Sequence, residues 1–506
     1  MQSKSEFQFQ LLRYNKAQRF GAKLLDLLKR TPLAIWGLIL WLGKFFKNIG
    51  IGIGHFFKNL VMNFVHGNWK TRVSYLLMGF SQLFHKQFLR GIAFAAFQII
   101  FIVYMATSGV FWMSQLGTLG VQGSEQVPNP SGIGTHVVYH DNSFKILLYG
   151  VLSLFFIVAF LYVWWMNVKQ AKILQDMDKE NEKIKGDKDD LRALVDRDFY
   201  KTLLAMPLAG IIVFMVIPIV FMVLVAFTNF DKNHTPPTNL FNWVGFDNFA
   251  KLFTWNTGGA SFSATFGEIL VWTLIWAFFA TFTNYFLGML VALLINKKGI
   301  KLKKMWRTIL VLTITIPQFI SLLYVSKMFG ENGIINKFLM DWHWINSPIL
   351  FWKDANLARV TVIIINIWIG VPYLMLMVTG ILMNIPADLY ESAKIDGASP
   401  MQQYMKITLP YMLFVTGPYL LTSFTGNMNN FNVIYLLTGG GPANSQKYLA
   451  AGDTNLLITW LYSTTVSDNN YSLAAVIGIM VFVIVAIITG VVYNLLPSNK
   501  NEDDLA

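Results

Sequence analysis

The chain has 506 residues, 55% hydrophobic and only 13% charged, with a formal net charge of +13. A composition this apolar excludes a soluble domain of this size and leaves a polytopic membrane protein. Zero cysteines exclude disulfides, thiolate metal sites and a cysteine nucleophile, and the seven histidines form no HExxH pair, so no metal is expected.

Residues 1–90 hold 14 Lys and Arg among apolar clusters. Leu33–Leu42 is apolar but too short to span a bilayer. Phe56, Phe57, Leu60, Val61, Phe64 and Val65 recur at helical spacing beside His55 and Lys58, which predicts helices lying on the membrane surface with cations at the headgroups. No small-residue cleavage site marks a signal peptide.

Eight apolar spans follow, near 91–115, 145–166, 202–227, 268–295, 308–328, 359–383, 411–437 and 472–495. The fold class is therefore an all-α polytopic membrane protein. Its parts are a basic amphipathic region (1–90), two membrane helices (91–166), a charged linker (167–201), a core of six membrane helices (202–495) and a short tail (496–506). Segment 167–201 carries nine Lys and Arg and segment 296–307 six, whereas 116–144 carries none and 438–471 only Lys447. By the positive-inside rule the cation-rich segments are cytoplasmic, which places both termini and the loop 384–410 on that side. Topology thus accounts for the +13 charge, and no nucleic-acid partner is expected. Segment 167–201, dense in both charge signs, predicts a solvated helix or linker.

The loop 384–410 is polar between two long apolar runs. Glu391, Lys394, Asp396, Gln402, Gln403 and Lys406 are too costly to place in hydrocarbon. Asp388 with Glu391 three residues on has capping-box spacing for a helix from about Leu389; Gly397 falls where that helix ends and Pro400 where another begins. The reading is helix–turn–helix, closed by Pro410 at the next membrane entry.

No catalytic constellation is evident. There is no P-loop, no Ser–His–Asp set and no paired carboxylate within the spans, which argues against an enzyme and against an ion-coupled carboxylate relay. The spans hold neutral polar groups instead. In the sixth, Asn366, Gly370 and Tyr373 are spaced four and three, on one helical face, with Pro372 beside them. In the seventh, Ser423, Asn427 and Asn430 repeat that spacing with Gly426 alongside. Amides, hydroxyls and aromatic faces without charge suit a neutral polyhydroxylated ligand. The same residue types also glue membrane helices together, and the pattern fits both roles.

The stretch from Glu391, Ser392 and Ala393 through Gly397 to Ile407, Leu409 and Pro410 resembles the coupling loop of bacterial ABC-importer permeases, E-A-A-x3-G-x9-I-x-L-P, with Ser392 in place of the middle Ala. With NIWIGVPYLM at 366–375, SFTGNMNNFNVIYLLTGGGP at 423–442 and eight spans, the chain from about 88 to 495 looks like the MalF-type permease subunit of maltose/maltodextrin importers. That resemblance implies a type I importer permease fold in a bacterial cytoplasmic membrane and a mid-membrane sugar site at Asn366, Ile369, Gly370, Tyr373, Ser423, Gly426, Asn427 and Asn430. Gly426 stands where maltose permeases tend to carry an aromatic, which leaves the cargo open to other oligosaccharides. The short segment 228–267 and the long basic region 1–90 look like the Gram-positive branch. Implied partners are membrane lipid, a second homologous permease, an extracellular sugar-binding protein and two copies of a cytoplasmic ATPase. The ATPases use ATP and magnesium, so this chain needs no cofactor of its own. They would be engaged through Glu391. The rival readings are the same importer class with a different glycan, and an ion-coupled secondary transporter, which should show buried ionisable groups.

Overall fold

In hydrocarbon every backbone polar group must find its partner within the chain, and long helices meet that demand. The computed structural model describes residues 54–495 except 131–133, 183, 185, 255–259 and 298, together with isolated positions between 43 and 52. Among the described residues, seven helices are long and apolar enough to span a bilayer, and a bent pair makes an eighth candidate. The predicted run Leu33–Leu42 and the tail 496–506 lie outside the described residues. The chain divides into two compact units, Met1–Ser108 with Leu154–Leu208, and Gly109–Ser153 with Ala209–Ala506.

In the first unit, short helices α1 (Trp69–Ser74) and α2 (Phe80–Phe84) precede the membrane helix α3 (Phe88–Tyr104). Helix α4 (Ser143–Lys179) runs far beyond its apolar stretch, and α5 (Asp187–Val195) follows. The segment expected to be solvated is thus largely helical and engaged. Asn167 and Gln175 are buried; the Asn167 amide donates to the Ser74 carbonyl (2.8 Å), and Gln175 Oε1 accepts from Thr71 Oγ1 (2.8 Å). The Asp187 carboxylate accepts from the backbone N–H groups of Phe88 (3.1 Å) and Leu89 (3.0 Å), satisfying donors that the start of α3 would otherwise leave open. Arg90 pairs with Asp190 at 2.7 Å. Phe57, Val61, Phe64 and Val65 are exposed.

Helix α6 (Phe199–Val225) leads into the second unit. That unit also holds a feature the sequence reading missed, a two-stranded antiparallel hairpin of β1 (Glu125–Pro128) and β2 (Thr135–Val138), with Glu125 opposite Val138. Its membrane core is α7 (Phe262–Asn296), α8 (Lys303–Thr315), α9 (Gln318–Met328), α10 (Ala355–Leu382), the loop helix α11 (Ala387–Ile395), α12 (Leu409–Met428), α13 (Phe431–Thr438), α14 (Leu457–Val466) and α15 (Tyr471–Leu495). Helix α7 is the hub and packs against both α10 and α12. Trp272, Trp276 and Ala280 of α7 join Val362 and Ile365 of α10 and Val433, Ile434 and Leu437 of α13 in one core. A second core brings Tyr285, Met289 and Ala292 against Leu374, Met375, Val378 and Met412.

Two expected spans are not straight helices. The fifth bends by 90° between α8 and α9. Pro317 has no N–H and its ring disfavours helical geometry at the residue before it, and Ile316 accordingly adopts an extended backbone (φ −80°, ψ 128°). The seventh breaks at Asn429 and Asn430, so the four-and-three spacing of Ser423, Asn427 and Asn430 does not lie on one helical face. Helix α10, by contrast, runs unbroken through Pro372.

Candidate functional site

The loop after α10 is built tightly. Pro386 stands at the N-cap of α11 and Asp388 lies within its first turn, so the expected Asp388 cap does not form. Gly397 adopts φ +74°, a conformation that favours glycine and stops α11. Ser399 then caps the turn Pro400–Gln403: the Gln402 amide N–H donates to Ser399 Oγ (3.3 Å) and the Ser399 N–H to Gln402 Oε1 (2.8 Å). Tyr390 OH and Thr408 Oγ1 lie 2.9 Å apart and tie α11 to the base of the next span. Residues Tyr404–Thr408 wind as a π-helix before α12 begins at Leu409 and Pro410. Glu391 and Ser392 are exposed and Ala393 and Ile407 half-buried. Ile395 is 87% and Met401 68% exposed, so the loop presents apolar side chains that nothing among the described residues covers.

The neutral polar residues fall into two groups. Ile369, Gly370 and Tyr373 of α10 line a cavity of about 400 Å³ at the α8–α9 bend, with Thr313, Thr315 and Gln318 across from them. Gly370 permits a close helix contact: a Cβ there would sit 2.2 Å from Asn284 Nδ2 of α7. Asn366 is buried one turn earlier, and Asn284 is buried as well. Asn284 Oδ1 and Asn366 Nδ2 have no hydrogen-bond partner among the described residues, a state that costs about 1–3 kcal/mol for each buried group.

Ser423, Gly426, Asn427 and Asn430 do not line that cavity. Asn427 Nδ2 donates to Thr281 Oγ1 of α7 (3.0 Å), and Asn427 Oδ1 accepts from Asn430 Nδ2 (3.4 Å). Asn430 Oδ1 accepts from the Val433 N–H and so caps α13. Gly426 faces open space. Asn284, Thr281 and Gln318 escaped the sequence reading. The polar TFTN run at 281–284 was the available signal for the first two, and the Ile316–Pro317 dipeptide for the third.

A larger cavity, about 680 Å³, lies along α12 and α15 and is lined by Phe282, Leu413, Phe414, Leu421, Phe424 and Ile488 among others. It offers no hydrogen-bonding side chain and cannot recognise a polar ligand.

Between α13 and α14 the chain folds back on α7. Lys447 is 5% exposed, yet it is paired with Asp453 and Glu268. Arg359 Nε donates to the Asp453 carbonyl (2.9 Å), and its guanidinium lies over the Trp272 ring, 5.0 Å from the centroid. Burial pushes the Asp453 carboxyl up, but hydrogen bonds from Lys447 and Asn444 outweigh it and hold the group below the usual carboxylate range.

A multi-pass helical core with a broken-helix cavity and an exposed, rigidly capped loop has the parts of a membrane permease. The family described as binding-protein-dependent transport system inner membrane component matches residues 284–501. The galactooligosaccharides transport system permease protein GanP of Bacillus subtilis strain 168 is 34% identical over 418 residues, 81% of this chain and 93% of that protein. The maltodextrin transport system permease protein MalC of Streptococcus pneumoniae serotype 4 is 30% identical over 446 residues, 86% of this chain and 97% of that protein. The maltose/maltodextrin permease MalF of Salmonella typhimurium is 35% identical over 246 residues, 48% of this chain and 47% of that protein. The chain belongs to the permease family of binding-protein-dependent ABC importers, and as such it is a multi-pass transport component rather than an enzyme.

Proposed function

We propose that this chain conducts a neutral oligosaccharide, maltodextrin or a related glycan, across a bacterial cytoplasmic membrane by alternating access. The observation that carries the reading is the bend cavity: its lining offers hydroxyl, amide and aromatic groups and no charged side chain. Sugar hydroxyls take amide and hydroxyl partners while the apolar ring faces stack on aromatics. A phosphorylated or acidic sugar would need Arg or Lys there. The names of relatives that act on maltodextrins and galactooligosaccharides support the same cargo class.

Asn366, Ile369, Gly370 and Tyr373 form one side of the proposed path, and Ser423, Gly426, Asn427 and Asn430 the other. The loop around Glu391 docks on a cytoplasmic ATPase, with the exposed Ile395 and Met401 as its apolar contact and Glu391 as its polar anchor. The working assembly holds this chain, a second permease, two ATPase copies and an external sugar-binding protein. ATP and magnesium are used by the ATPases alone. Closure of the ATPases drives the rocking motion about a fixed site.

The test is uptake of labelled maltooligosaccharides and galactooligosaccharides by the reconstituted complex with ATP. Uptake should require ATP and be lost in Glu391→Ala and sharply reduced in Asn427→Ala. Transport of a glycan outside these classes would correct the cargo only. Solute movement without any ATPase would overturn the mechanism.

A further inference from the structure

A further cavity, about 380 Å³, is lined by the helical segment Val110–Gln115, the chain that leaves β2 and the start of α4. It shares no residue with the cavity at the α8–α9 bend. Segment 116–144, which holds the hairpin, has no Lys or Arg, so the positive-inside rule puts it on the outer side. Local bonds fix the walls. Asp141 Oδ2 accepts from the backbone N–H groups of Val121 (2.8 Å) and Gln122 (3.0 Å) and closes the foot of the hairpin. The bonds from Gln122 and Val121 hold the Asp141 carboxyl below its usual range. Ser124 Oγ donates to the Thr238 carbonyl (2.8 Å), which pins the hairpin beside Pro237, another residue of the lining. The Trp112 ring stacks on Tyr149, with centroids 5.1 Å apart.

The lining carries polar atoms that the fold leaves unused. Gln115 Oε1 is buried with no hydrogen-bond partner among the described residues. Tyr139 OH, Asn142 Nδ2 and Lys145 Nζ have none there either. Asn142 Oδ1, by contrast, accepts from the Lys145 N–H (3.1 Å) at the start of α4. An apolar ligand covering these groups would cost about 1–3 kcal/mol for each one left unpaired. An anion would meet Lys145 but also the Asp141 carboxylate on the same lining. Amide, phenol and ammonium groups beside the rings of Trp112 and the exposed Tyr139 suit a pyranose, whose hydroxyls take polar partners and whose apolar face stacks. We propose that this outer cavity is a second carbohydrate site, apart from the transport cavity, that holds one sugar ring of a neutral glycan at the membrane surface. A soluble oligosaccharide and the headgroup of a glycolipid offer the same chemistry. The proposal extends the neutral-glycan reading above to a site outside the transport path.

The test uses the assembled importer in phosphatidylglycerol nanodiscs and reads diethylpyrocarbonate modification of His140, an exposed residue of the lining, by mass spectrometry. His343 is exposed and outside the lining, and serves as the internal reference. A tetrasaccharide of glucose or of galactose units, at ten times its half-saturating concentration, should slow the His140 reaction roughly tenfold and leave His343 unchanged. Protection that appears with glucosyl diacylglycerol in the disc, and not with soluble glycan, would assign the same site to a lipid headgroup. Tyr139→Ala should abolish protection. Asn142→Asp keeps the oxygen that caps α4 but loses the amide donor, and should weaken binding about fivefold, the scale of one hydrogen bond. Both variants should melt as the native complex does. No protection of His140 by either source, or equal protection in native and Tyr139→Ala complexes, would overturn the site. Protection in a complex that transports no oligosaccharide would sink the cargo reading and leave this site standing.

Discussion

Lys447 Nζ lies 2.9 Å from Asp453 Oδ1 and 3.6 Å from Glu268 Oε2. The lysine head is thus held between the loop that follows α13 and the first turns of α7. A buried cation is tolerated only when paired, and removing one partner leaves the other stranded. Lys447→Met should destabilise the protein by about 3 kcal/mol. Lys447→Met with Asp453→Asn should recover part of that loss. Thermal melting in detergent separates the outcomes; equal melting of native and Lys447→Met would show that the pair contributes nothing.

The same carboxylate sets an acid limit. Because the folded protein holds Asp453 below the usual carboxylate range, its stabilising contribution is complete above the unfolded-state value, about pH 4. That contribution is lost as pH falls through the depressed folded-state value. Melting temperatures of native and Asp453→Asn proteins should therefore differ by a constant amount from neutral pH to about 4 and converge below it. A gap that already closes between pH 7 and 5 would contradict this account.

Two glycines of the proposed path should respond in opposite ways. Gly370→Ala places a methyl against the Asn284 amide, so α10 must move off α7. An overpacking cost of about 1–3 kcal/mol is expected, with loss of uptake. Gly426→Ala meets nothing within 4 Å and should leave melting unchanged. Parallel melting and uptake assays of the two variants check this.

The coupling loop should separate stability from transport. Glu391 is exposed with no partner among the described residues, so Glu391→Ala should shift stability by less than about 0.5 kcal/mol while abolishing uptake. Tyr390→Phe removes the bond to Thr408 and should loosen α11 without removing its docking face. Hydrogen exchange over residues 387–396 should quicken in Tyr390→Phe and not in Glu391→Ala.

What could be read in advance was whatever depends on local composition. The apolar runs place the helices, and Gly397 and Pro400 mark the turn of the loop because backbone preference there is a property of single residues. The break at Asn429 and Asn430 was missed although the stretch GNMNNFN at 426–432 interrupts the apolar run there. Asn430 has a residue type suited to caps, and it caps α13. The bend cavity was hidden for a different reason: Gln318 is one polar residue in an apolar stretch, and only the 90° turn brings it opposite Tyr373. Lys447 read as a loop cation, since its partners Glu268 and Asp453 meet it only through long-range packing.

The π-helical turn at Tyr404–Thr408 bears on why the loop motif keeps its length. In an α-helix one residue corresponds to about 100° of rotation. Inserting or deleting a single residue between Gly397 and Pro410 would thus spin the whole of α12 about its own axis. Asn427 would swing away from Thr281 while the loop kept its grip below. The nine-residue spacer from Gly397 to Ile407 is in effect a phase setting, like the timing mark on a camshaft. In the proposed mechanism it sets which side of α12 faces the path when the loop is pushed.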